Sequence, residues 1–81
     1  MKARVFVSLK TTVLDPQGQT VRSALNGLGY HRIADVRQGK FFEIALAEGT
    51  PREEAQKEIE TIAHEVLANP VIEEYRVELM D

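Results

Sequence analysis

His31 and His64 are the only histidines in an 81-residue chain that contains no cysteine. They fall in different segments, and neither has a cysteine or carboxylate at the spacing of a metal site. The missing thiols also remove a nucleophile and any disulfide frame. Glu53-Glu54 and Glu73-Glu74 are paired carboxylates of the kind used in acid–base work, but adjacent carboxylates are the usual composition of a solvated surface. Ser8 and Ser23 have no histidine at a recognisable spacing and no nucleophile elbow around them. The residues therefore offer no catalytic group, no cofactor-binding group and no metal ligands. Ten basic against thirteen acidic residues leave a net charge of −3, which argues against the concentrated basic face that nucleic acid requires. Apolar runs are short and interrupted by charge, so no membrane span is expected. No signal peptide is evident either, and the expected location is the cytoplasm.

The elements that would position any site are plainer than the site. In Leu14-Asp15-Pro16-Gln17-Gly18, Asp15 is a helix cap that can accept first-turn amide hydrogens, and Pro16 suits the first helical position. Val21, Ala24, Leu25 and Leu28 follow on one face, and Gly29 can end the helix in the left-handed conformation. The pattern predicts a short helix docked by that face. Residues 2–10 alternate, with Ala3, Val5, Val7 and Leu9 on one side, and read as a strand with one buried face. Residues 33–38 read as a second strand with a bulge near Ala34-Asp35. Gln38-Gly39 is a turn into a third strand at 40–47, whose Phe42, Ile44 and Leu46 should meet the valines of the first.

Thr50-Pro51-Arg52-Glu53 repeats the helix-start chemistry, with Thr50 as cap and Glu53 placed to complete a capping box. Ala55, Ile59, Ile62, Ala63, Val66 and Leu67 form one stripe behind it. Asn69-Pro70 stops the helix, and 71–80 is a fourth strand with Tyr75, Val77 and Leu79 inward. The order is βαββαβ. The expected fold is a single α+β domain over residues 1–81: a ferredoxin-like sandwich with a four-stranded, mostly antiparallel sheet and two helices on one face.

A domain of this size has a thin core, typically worth about 3–5 kcal/mol, so a homodimer or homotetramer is expected. The sheet face without helices would carry Phe6, Phe41 and Ile72 among charged residues, more apolar surface than a lone monomer usually shows. These three, with Arg37 and Lys40 at an expected hairpin tip, are the candidate partner or oligomer contacts. An RNA-recognition module shares the βαββαβ order, and Val5-Phe6-Val7-Ser8-Leu9 looks like its first-strand motif. Its third strand, however, needs aromatics two residues apart on the open face, and here Glu43 follows Phe41 and would repel a phosphate backbone. A small-molecule regulatory domain of the ACT type fits by topology alone, which does not decide function.

Leu14-Asp15-Pro16-Gln17-Gly18, then Val21, Ala24-Leu25, Leu28-Gly29, Asp35-Val36-Arg37, Gly39-Lys40 and Leu67-Ala68-Asn69-Pro70-Val71-Ile72-Glu73 with Tyr75, closely resemble the PurS family in order and spacing over essentially the whole chain. The chain departs from the family at Thr11-Thr12, where glycine is frequent, and lacks a cysteine that many members carry in the second helix. The resemblance implies a non-catalytic accessory subunit of phosphoribosylformylglycinamidine synthase in purine biosynthesis. It would bridge a glutaminase subunit, PurQ, and a synthetase subunit, PurL, and assist ammonia transfer. It further implies that the complex, rather than this chain, uses ATP, magnesium and glutamine. The motif residues Asp15, Pro16, Gly18, Gly29, Gly39, Asn69 and Pro70 all have structural explanations as caps, turns, close approaches or stops.

Overall fold

The computed structural model describes residues 1–80. The alternation at the N-terminus forms strand β1 (Lys2–Leu9), whose inward residues Ala3, Val5 and Val7 are at most 1% exposed. β1 is the middle strand of a three-stranded antiparallel sheet, flanked by β2 (Gly39–Ala45) and β3 (Glu73–Met80) in the order β2-β1-β3. Val5 sits opposite both Phe42 and Val77. One face of the sheet is therefore an apolar row, with Val77 and Leu79 packed against the core as their spacing predicts, whereas Tyr75, expected with them, stays 36% exposed.

That row is covered by α2 (Arg52–Ile62) and the wider π-helical turn that continues it (Ala63–Leu67). Ala55, Ile59 and Ala63 are fully buried, and Ile59 and Ala63 belong to the same core cluster as the β1 side chains. In the wide turn the Ala68 amide donates to the Ala63 carbonyl five residues back, at 2.9 Å. The extra residue rotates the helix surface, which explains why Val66, expected in the buried stripe, is 73% exposed while Ala68 is buried. The helix start also differs from expectation. Pro51 is the cap residue and no side chain caps the first turn, because the Thr50 hydroxyl donates to the Ala47 carbonyl at 2.6 Å instead.

The sheet has three strands, so the expected four-stranded ferredoxin-like sandwich is corrected to a smaller α+β fold. Residues 33–38 form no strand. Their backbone is engaged elsewhere: the Gln38 amide donates to the Asp15 carboxylate at 2.7 Å, and the Val36 carbonyl lies against Gly18. A strand ladder needs those same groups, and the Gln38-Gly39 hairpin is lost with it. The first helix differs as well. α1 (Pro16–Gly27) has Asp15 as N-cap, bonded to the Gly18 amide at 3.0 Å, and Pro16 at its first position. It closes with Gly29 at φ +102°, the Tyr30 amide donating to Leu25 and the Gly29 amide to Asn26. This is a complete Schellman ending. Both punctuation marks are as expected, but the docking is not: Gly18 is the only buried residue of α1, and Val21 and Leu28 are 39% and 75% exposed.

The molecule measures 50 × 26 × 14 Å. An eight-residue strand spans about 27 Å and a twelve-residue helix about 18 Å, so the long axis is that of a sheet and α1 set end to end. The radius of gyration, 16.1 Å, exceeds the roughly 12 Å of a compact chain of this length.

Candidate docking surfaces

Asp15 is the hub of the junction between sheet and α1. It is 3% exposed, and one oxygen accepts from Gly18 while the other accepts from Gln38. Those two amides, the Gln38 amide foremost, hold its carboxyl below the ordinary value of 3.8, with the Arg37 charge adding to the effect and desolvation opposing it. Arg37 ties the same junction from the other side, its Nη2 lying 3.4, 2.8 and 3.0 Å from the carbonyl oxygens of Leu9, Lys10 and Val13. The residue expected at a hairpin tip is thus committed to the β1–α1 connection. No local pattern marks this role, because the bonds cross 24 to 28 residues. The Asp15 carboxylate had a partial cue as a helix cap, and its second acceptance from Gln38 had none.

A carboxyl with a depressed folded-state pKa contributes stability that is present above the unfolded value and lost as pH falls through the folded one. Asp15→Ala should therefore lower the urea midpoint most at neutral pH, and the gap from the parent chain should begin to narrow near the ordinary carboxyl value of about 4 and shrink further as pH falls through the lower value of the folded chain, where the parent also loses the charge. A gap of constant size from pH 7 to pH 2 would show that the carboxylate charge is not what holds the junction.

The sheet face turned away from α2 carries Phe6 and Phe41, stacked at 5.9 Å between centroids, with the Arg76 guanidinium 4.5 Å above the Phe6 ring. Phe41 is 59% exposed. Lys2 and Arg4 both reach Glu43, at 3.3 and 3.5 Å, and the Lys2 contact holds the Glu43 carboxyl below its ordinary range. The face is an aromatic pair inside an ionic frame. Ile72, expected beside the phenylalanines, precedes β3 in the turn that follows Asn69-Pro70. There the Asn69 side chain accepts from the Val71 amide, which stops the helix as predicted. Lys40 lies over the Phe42 ring at 5.8 Å. Gly39 is a close approach rather than a turn, since a Cβ there would stand 2.6 Å from the Val7 carbonyl oxygen.

A cleft of about 300 Å³ opens between β1 and the α1 start, lined by Val7, Leu9, Asp15, Gln38, Lys40 and Glu73. The only buried charge in it, Asp15, is already satisfied. The two histidines stay apart: His31 is exposed in the α1–β2 connection, and His64 meets the Tyr75 ring edge-on at 6.1 Å. Among the described residues no group of three or more metal-binding side chains forms, and no helix is long and apolar enough to cross a membrane.

An aromatic pair on an open sheet face and an amphipathic helix held clear of the core, with Val21 exposed on it, define a small docking module, a protein whose surfaces are its working parts. Which module it is follows from comparison with known proteins. The chain belongs to the PurS family, whose sequence profile, described as phosphoribosylformylglycinamidine (FGAM) synthase, matches residues 2–81. It is 40% identical over 82 residues to the PurS subunit of that synthase from Bacillus subtilis, covering 96% of this chain and 90% of the relative. The crystal structure of Methanocaldococcus jannaschii PurS superimposes with a TM-score of 0.83 at 38% identity, over 95% of this chain and 92% of that one. A chain in the structure of PurLQS from Thermotoga maritima gives 0.84 at 30% identity, covering 95% and 93%. The chain is accordingly an accessory subunit of FGAM synthase in purine biosynthesis.

Proposed function

We propose that this chain bridges the glutaminase subunit PurQ and the synthetase subunit PurL, holding them so that ammonia passes from one to the other in the cytoplasm. The observation that carries the reading is the match to a chain of PurLQS, an assembly of the three subunits, at a TM-score of 0.84 over nearly the whole length of both chains. The architecture supports it independently: the chain offers a broad open sheet face and a projecting helix while its buried residues are given to the core. ATP, magnesium and glutamine are used by the larger chains. The contacts we assign to those partners centre on Phe6 and Phe41, with Lys40 and Ile72 at the margins and Arg37 shaping the loop beside them.

Co-elution measures this directly. The chain should migrate with PurL and PurQ from the same organism in a single species on size exclusion when ATP, magnesium and glutamine are present. Phe6→Asp should weaken its incorporation, because a carboxylate would be desolvated without a partner. Full incorporation of that variant removes Phe6 from the contact, and separate elution of the parent chain refutes the bridge.

A further inference from the structure

Two of the three phenylalanines meet a cation within the chain. The Arg76 guanidinium stands 4.5 Å over the Phe6 ring, and Lys40 Nζ lies 5.8 Å from the centre of the Phe42 ring. Phe41 has the Phe6 ring instead, at 5.9 Å. One side of the Phe41 ring is thus taken by an aromatic neighbour, and at 59% exposure the other side is open to solvent. An open ring face carries the negative part of the aromatic quadrupole and attracts positive charge.

The register of the sheet shows how this chain completes such a face. Phe6 sits opposite Arg76 on one side and Phe41 on the other, while Arg4, two residues back, sits opposite Glu78 and Glu43. On the β3 side, Arg76 covers Phe6 and donates to the Glu78 carboxylate. The β2 side offers the same ring and carboxylate, Phe41 and Glu43, on one sheet face about 7 Å apart along the strand. The one basic residue of β2, Lys40, lies over Phe42 on the opposite face. Glu43 also has room for a further donor. A carboxylate offers about four acceptor sites, Lys2 and Arg4 approach one oxygen each, and the Glu43 side chain is 42% exposed.

We infer that one of the larger subunits presents an arginine to this side of the sheet, its guanidinium flat on the Phe41 ring and its hydrogen bonds directed to Glu43. The inference rests on the reading of the chain as a docking subunit and adds the chemistry of the group received there. Arginine suits the place better than lysine, because a planar guanidinium stacks on a ring while its edge still donates to a carboxylate. The net charge of −3 favours a basic partner surface in the same sense.

Because the chain has no cysteine, Glu58→Cys takes a single fluorophore on the exposed side of α2, across the sheet from Phe41. Titration of that labelled parent with PurL and PurQ from the same organism, in ATP, magnesium and glutamine, reads its affinity. Phe41→Leu keeps apolar bulk and loses the ring face, and Glu43→Gln keeps the shape and loses the charge. Each should weaken binding about tenfold, while Phe41→Tyr binds like the parent. The double variant should lose far less than the product of the two, since both changes remove one shared group. Salt should weaken Glu43→Gln less steeply than the parent. Both positions are exposed and exposed ion pairs contribute little, so thermal midpoints should stay close to the parent's. The inference is overturned by parent-like affinity of Phe41→Leu, by tighter binding of Glu43→Gln, or by losses that simply multiply. It is equally overturned if Phe41→Leu alters sedimentation of the chain alone and leaves the titration unchanged, which assigns the face to a second copy. A parent chain that does not bind brings down the bridging reading and this inference together, whereas parent binding indifferent to Phe41 brings down the inference alone.

Discussion

Omitting this chain from a mixture of PurL and PurQ should reduce glutamine-dependent formation of formylglycinamidine ribonucleotide by roughly tenfold or more, while turnover with high concentrations of ammonium salts persists. The asymmetry follows from what a bridge does. Ammonia released by an unattached glutaminase dilutes into bulk solvent, whereas two sites held in one assembly communicate at an effective concentration on the order of millimolar. Supplying ammonia directly bypasses the need for proximity, provided PurL stays folded by itself. A regulatory small-molecule domain would leave basal coupled turnover intact and respond to a ligand instead. Equal glutamine-dependent rates with and without the chain would eliminate the bridging role, whatever the three proteins do on a sizing column.

The second large effect is expected at Gly18. Replacing a helical glycine by alanine ordinarily stabilises by about 1 kcal/mol through propensity alone. At Gly18 the added Cβ would stand 2.1 Å from the Val36 carbonyl oxygen and 2.9 Å from the Asp15 carboxylate. One of those atoms is backbone and cannot swing aside, so overpacking, typically 1–3 kcal/mol and occasionally more, outweighs the gain. Gly27 has nothing within 4 Å of the corresponding position. The two substitutions should consequently have opposite signs. Gly27→Ala should raise the thermal midpoint, and Gly18→Ala should lower it and speed exchange of the Gln38 amide about tenfold or more, since that amide depends on Asp15 staying in place. Identical shifts for both variants would mean that the α1 junction tolerates a separation the structure does not show.

How far these features can be read from sequence depends on how local they are. The alternation of Ala3, Val5 and Val7, the Asp15-Pro16 start, the Gly29 ending and the Asn69-Pro70 stop are each decided within a few residues, and each appears where the pattern puts it. The destination of α1 is decided by contacts across 23 to 28 residues, from Asp15 to Gln38 and from Arg37 to the carbonyls of Leu9, Lys10 and Val13. Nothing in the spelling of residues 33–38 announces that their backbone will serve a carboxylate instead of a ladder. Ile33 and Val36, three apart, were the one sign that a strand was a poor fit. Val66 failed for a related reason: a helical stripe is projected with a constant turn, and the π-turn after Ile62 changes the turn midway. As for the docking surfaces, Phe6 and Phe41 were legible as an unshielded pair. The apolar side of α1 is legible too, and its spacing points to the chain's own core, yet Val21 stays 39% exposed because the junction holds the helix clear of the sheet.

The pairing of β1 has a consequence for how the chain reaches this state. Lys2 lies opposite Ala45 on one side and opposite Met80 on the other, so the central strand cannot acquire its second neighbour until β3, which begins only at Glu73, arrives. Closures of that span are entropically costly and slow. During synthesis Val5 and Val7 must wait, with one edge of their strand bare, while the intervening helices form. Strands in that condition are prone to pair with the wrong chain. Lys2 and Arg4, which pair with Glu43 in the finished sheet, put positive charge on the waiting strand, and like charges side by side oppose its pairing with its own copies.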